Sequence, residues 1–207
     1  EISGWQLNGA KLDANLDGGT LQLHQFTAGV GENKIVATGD AKLPADWAEV
    51  AQAVGKVAFR LDAKNLSQLT PQVEGAATAD GAVEFAGQKL RGAAVNVHAK
   101  QLTAAGIPIE SVEVKASSAQ EIATLEQAQI VLNAQNTINA TGTFGLTGDH
   151  AITAQWNANC ADLASLPAQV KAGTIWPTAG MVKSQGTMQG SLVALQQQDW
   201  PALRAEA

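Results

Sequence analysis

"NKIVATGDAKLP", residues 33–44, and "NTINATGTFGL", residues 136–146, are one line written twice. The echo extends on both sides. "NLSQLTPQVEG" (65–75) returns as "DLASLPAQVKAG" (162–173), "LNGAKLDANL" (7–16) resembles "LRGAAVNVHA" (90–99), and Asp46-Trp47 has a late counterpart in Asp199-Trp200. The echoes keep the same order, which reads as two degenerate copies of one module. Self-similarity at a long period points to an array rather than to a catalytic site. The copies divide the chain into residues 1–87 and 88–207, and the abrupt ends suggest a fragment, 1–207, of a longer repeat protein.

The period inside each copy is two. Val57, Phe59, Leu61 and Ala63 alternate with Arg60 and Asp62; Val95, Val97 and Ala99 alternate with Asn96, His98 and Lys100; Val112, Val114 and Ala116 alternate with Glu113 and Lys115. Ile130, Leu132 and Ala134 share a phase, as do Ile138, Ala140, Phe144 and Leu146. Alternation of this kind means strands with one dry and one wet face. The breaks "LDGG", "VGEN", "ADG", "AAG" and "TGDH" read as hairpin turns. The expected fold is all-β, about a dozen antiparallel strands in chain order.

Helices are few. In "LPADWAEVAQAVG" Asp46 suits the N-cap and Glu49 completes a capping box. Trp47, Val50, Ala51 and Val54 then share a face, and Gly55 suits the C′ position. This short helix is expected over the dry face or at one end of the sheet. The tail "QDWPALRAEA" reads as a second, and "NLSQLTP" and "DLASLPA" as one-turn connectors.

Composition narrows the function. Of 207 residues 45% are hydrophobic, but Ala dominates, aromatics make up 4% and Tyr is absent, which suits a thin sheet better than a bulky core. Only 15% are charged, against about 25% in typical proteins. The net charge is −6, with no Lys/Arg cluster, which argues against nucleic acid as a partner. No apolar run reaches the ~20 residues of a spanning helix.

No constellation for catalysis emerges, and the chain is not read as an enzyme. His24, His98 and His150 are isolated, without metal-ligand spacing to Cys160 or an acid, so neither a metal nor another cofactor is expected. "GVGENK" (29–34) joins strands, where a phosphate-binding loop would lead into a helix. Asp13, Asp17 and Asp40 read as turn or wet-face acids, and "ANLDGG" lacks the alternating oxygens of a calcium loop. Cys160, in phase with Ile152, Ala154, Trp156 and Ala158, reads as a small buried hydrophobe.

The pattern "LDGGTLQL" (16–23), a strand, then "ATGDAKL" (37–43) resembles the repeats of AsmA/TamB-like proteins of the diderm bacterial envelope. "TFGLTGDHAITAQWNANCADLASLP" (143–167) is similar in style, and the resemblance covers most of the chain. It implies a β-taco, a bent, half-open sheet with a hydrophobic concave face. It also implies a periplasmic location, an inner-membrane anchor outside this segment, and passage of phospholipid between inner and outer membranes or support of outer-membrane assembly. Its implied partners are phospholipid acyl chains and envelope proteins of either membrane. The "DWAEVAQAV" helix departs from that pattern and interrupts the expected groove.

A dry face over so many strands must be covered by protein or by a guest. The residues expected to line such a groove are Val57, Phe59, Leu61, Val83, Phe85, Val95, Val97, Val112, Val114, Ile130, Leu132, Ile138, Phe144, Ile152 and Trp156. The alternative is a structural or adhesive β-sandwich or β-solenoid module in which the same residues fill a closed core. A carbohydrate-binding module fits less well, for want of Tyr and of Trp outside the apolar phase.

Overall fold

The computed structural model describes residues 8–166, 179–193 and 204–206. Twelve strands form one sheet in chain order, each antiparallel to the next: β1 (Ala10–Asp17), β2 (Thr20–Val30), β3 (Asn33–Lys42), β4 (Val54–Ala63), β5 (Val73–Ala86), β6 (Lys89–Ala104), β7 (Ile107–Ala119), β8 (Ile122–Asn133), β9 (Asn136–Gly145), β10 (Ala151–Cys160), β11 (Val182–Ser191) and β12 (Arg204–Glu206). Among the described residues the sheet does not close, since β1 pairs only with β2 and β12 only with β11. This is the all-β meander that the alternation predicts.

Tight turns explain the simple order. Gly18 and Gly19 both have positive φ, 54° and 77°, the geometry of a two-residue turn whose twist matches its strands. Ala105 with Gly106 and Gln120 with Glu121 do the same. The last pair contains no glycine and carries no turn signature in the sequence. Conversely, "ADG" is not a turn: Asp80 and Gly81 lie inside the fourteen-residue β5. A Cβ on Gly81 would come within 2.8 Å of the Phe59 ring, so this glycine makes room for an aromatic on the next strand.

The expected helix is a short 3-10 turn, Trp47–Gln52 (η1). Asp46 does cap it, its Oδ1 accepting from the Ala48 amide at 2.8 Å. Ala53, however, is already extended and β4 begins at Val54. Gly55 is therefore a strand residue; a Cβ there would lie 2.4 Å from the Asp40 carbonyl. Val50 and Val54 are 45% and 53% exposed, so the turn does not lie over the dry face. Side-chain interactions of Trp47 and the pair Asp199-Trp200 fall outside the described residues. In the tail, residues 204–206 form a strand rather than a helix. The two connectors are single 3-10 turns, Leu66–Gln68 (η2) and Leu163–Ser165 (η3).

Little is buried. Among the described residues only Ala28, Ala37, Ala63, Ala99, Leu102 and Leu163 form an apolar core. The chain's accessible surface is 13356 Å², whereas a compact monomer of its mass would expose about 9,100 Å². A sandwich of two packed sheets would bury its Val, Ile and Leu; this sheet leaves most of them half-exposed or exposed. Register shifts interrupt β1, β2, β5, β7 and β8, and such bulges bend a strand and increase its twist.

Candidate functional site

Directly opposed residues on neighbouring strands share a face of a sheet. Followed across the ladder, they form apolar rows. One runs Leu12, Phe26, Ala37, Phe59, Gly81, Val95, Ala116, Leu125, Gly142, Ala154, Met188. The next runs Ala10, Ala28, Ile35, Leu61, Ala79, Val97, Val114, Ala128, Ala140, Trp156, Gly186. Neither contains a charged, amide or hydroxyl side chain; the one polar group is the Trp156 indole, whose Nε1 donates to Ser184 Oγ at 3.3 Å. At ~4.8 Å between strands, eleven strands span roughly 48 Å.

Fourteen of the fifteen expected lining residues lie on this face. Val57, Val83, Phe144 and Ile152 share a third row, Val112, Ile130 and Ile138 a fourth, and Phe85 stands opposite Gly55 and Leu90. Leu132 falls in the register shift between Val131 and Asn133. None of the fifteen is buried; all are half-exposed. The sequence reading missed the part of this face on β1–β3 and β11. In β2 the irregularity between Leu23 and Phe26 resets the alternation, so Leu21 and Leu23 are out of phase with Phe26 and Ala28. Ser118, the one hydroxyl in the third row, has a buried Oγ with no hydrogen-bond partner.

The opposite face is polar and internally paired. Lys56 Nζ lies 2.9 Å from Glu84 Oε1, Asn96 Nδ2 donates to Asp80 at 3.0 Å, and Gln129 donates to Asn139 at 3.2 Å. The hydrogen bond to Glu84 raises the Lys56 pKa above its ordinary value. His98 faces Glu113 at 3.7 Å, on the wet side as its phase predicts.

The doubled line acquires a physical meaning at one rim. Asn33 and Asn136, which open β3 and β9, are the two buried polar residues among those described. Asn33 Nδ2 donates to the Asn65 carbonyl at 2.9 Å, and its Oδ1 accepts from the Asn65 amide at 3.0 Å. Asn136 makes the same pair of bonds to Asp162, at 3.1 and 3.3 Å. Asn65 and Asp162 in turn cap η2 and η3, accepting from the amides of Ser67 and Ala164. Each asparagine thus clamps the connector that follows the next strand. Buried amides need such complete pairing. The two echoes noticed separately, the doubled line and the doubled connector, are hydrogen-bond partners in each copy.

The glycine of "ATG" is equally constrained. A Cβ on Gly39 would lie 2.3 Å from the Lys56 carbonyl, and one on Gly142 2.4 Å from the Thr153 carbonyl. The irregularity in β2 between Leu23 and Phe26 also has its equivalent in β8, between Leu125 and Ala128. Counted from the locks, β3 matches β9, so the counterpart of β1 is β7. The echo of 7–16 in 90–99 would instead match β1 with β6.

Other reactive groups do not converge. His150 stacks on Phe144 with ring centroids 5.7 Å apart, and its Nδ1 lies 3.0 Å from the Gly145 carbonyl oxygen. Cys160 is half-exposed rather than buried, between Asn136 and Val182. Among the described residues no three His, Cys, Asp or Glu side chains gather as metal ligands, and no helix is long and apolar enough to cross a membrane. A shallow depression of about 570 Å³ lies on the polar face, lined by Asn139, Thr141, Gln155, Asn157, Gln185 and Thr187 among others. Its lining contains no titratable group. No protein-family profile, no curated protein and no solved structure matches this chain.

Proposed function

We propose that the apolar face is a groove segment that shelters the acyl chains of phospholipid. The observation that carries this reading is the pair of rows without a charged or amide side chain that cross eleven strands on a face left half-exposed by the described residues. Each methylene removed from water contributes about 0.8 kcal/mol, so a lipid chain lying along the rows gains much from apolar contact alone. Small Ala, Gly and Val side chains and the absence of charge leave nothing to hold a chain at one place, which suits passage better than storage. With the envelope family it resembles as a guide, the groove works in the periplasm of a diderm bacterium. There it carries phospholipid between inner and outer membranes or supports outer-membrane assembly, held to the inner membrane by a segment outside this chain. In this reading the two copies are successive lengths of one groove.

The test is native mass spectrometry with lipid extraction on the chain expressed in a bacterial envelope. Val97 and Val114 oppose each other and are half-exposed, so Val97→Asp with Val114→Asp should keep the fold, checked by circular dichroism, while abolishing bound phospholipid. A lipid-free protein that pairs face to face with a second copy would sink the proposal.

A further inference from the structure

The two rims of the sheet are unlike. The asparagine clamps lie along one, and with them Ala63, Ala99, Leu102 and Leu163, all at most 9% exposed. The other rim carries eight of the ten strongly exposed large apolar residues among those described, including Leu16, Leu21, Leu90 and Leu146. By register Leu16, Leu21 and Leu90 continue the apolar face, along the row Leu16, Leu21, Ala41, Gly55, Phe85, Leu90. Val54 and Ile122 sit at the same rim but on the polar face, opposite Lys42 and Ala119. Exposed apolar side chains therefore stand on both faces of this lip, with Asp17, Thr20, Lys42 and Lys89 beside Val54 on the polar one. At the clamped rim the outer row of the same apolar face, Ala63, Ala77, Ala99, Val112, Ile130, Ile138, is apolar too, but no residue in it is strongly exposed and Ala63 and Ala99 are buried.

We infer that phospholipid acyl chains enter and leave the groove sideways over the lip of Leu16, Leu21, Leu90, Leu146, Val54 and Ile122, and not over the clamped rim. This rests on the groove reading above. A chain crossing the lip meets the exposed Leu16, Leu21 and Leu90 and passes from them into the apolar rows, whereas one crossing the other rim would meet connectors held by buried hydrogen bonds. The continuity of the lip with the apolar rows names the occupant: what the rows shelter is what the lip passes.

The experiment follows uptake by the full chain of a fluorescent-acyl phospholipid from vesicles of phosphatidylethanolamine and phosphatidylglycerol. Leu90→Glu with Leu146→Glu should slow uptake about tenfold, the factor produced by ~1.4 kcal/mol of barrier, with the amount bound at equilibrium little changed. Met181, 62% exposed at the clamped rim, provides the control, and Met181→Glu should leave the rate as it was. All variants are first matched to the parent by circular dichroism. Equal slowing by both sets, or by neither, overturns the lip while leaving the groove. A parent chain that takes up no lipid overturns both.

Discussion

The first clamped unit, β3–β4 with η2, and the second, β9–β10 with η3, share their hidden parts and differ in their visible ones. Asn33 and Asn136 make the same two bonds to a connector, and Gly39 and Gly142 admit the same close strand. The wet faces have diverged. In the first copy it carries Lys34, Asp40, Lys56, Arg60 and Asp62; in the second Thr137, Thr143, Thr153, Gln155 and Asn157. Even the link between the paired strands changed, from residues 43–53 with η1 to residues 146–150. What survived is therefore the geometry of the sheet, and the difference teaches which residues that geometry depends on.

The comparison makes its strongest demand on the clamps. Asn33→Ala and Asn136→Ala should each destabilise by about 2–4 kcal/mol, since each leaves buried backbone groups unpaired. Asn33→Asp should fall in the same direction, because the lost Nδ2 is the donor. The clamps stand six strands apart, roughly 29 Å, so the double variant should be additive in urea denaturation. Strong non-additivity would break the picture of two separate copies.

Next come the glycines. Gly39→Ala and Gly142→Ala force the next strand to shift and should cost about 1–3 kcal/mol each, read from the same denaturation midpoints. A cost at one position only would mean that the copies tolerate different strand spacings.

Smaller still is the exchange of caps. Asn65→Asp installs in the first copy what Asp162 is in the second, and since both side chains cap equally well it should change stability by less than ~0.5 kcal/mol. A large loss would show that the two connectors are alike in outline only. Smallest is Glu84→Gln at the exposed pair with Lys56. Exposed ion pairs contribute little, and the midpoint at neutral pH should be indistinguishable from the parent. The folded-state pKa of Lys56 is raised, so any contribution is complete below the unfolded-state value and fades as pH rises through the folded one. A clear loss at neutral pH would instead make the charged face of the first copy a stability device that the second lacks.

Strand number, order and face were legible because period two states each strand's phase directly. The shared face of fourteen of the fifteen expected residues followed from that phase alone. The phase fails where the backbone slips: at the β2 irregularity Leu23 and Phe26 lose step, and Leu132 sits in another slip. Asp80-Gly81 looked like a turn because glycine at a turn and glycine beneath an aromatic ring read alike in one dimension. The turn at Gln120-Glu121 was invisible for the converse reason. The clamps were visible as words but not as a sentence, since Asn33 meets a partner 32 residues away and Asn136 one 26 residues away. The difference between the rims could not be read either. It emerges only when alternate hairpin ends are gathered on one side.

The clamps recur after six strands, and six is even. In a meander every strand reverses direction, so an odd repeat would present its second clamp on the opposite edge and its apolar phase to a mirrored neighbour. An even repeat restores both. Parity thus lets copies be joined in series with every clamp along one seam and every lip along the other, each copy adding roughly 29 Å of length and no thickness. Copy number then sets reach, as links set the length of a chain.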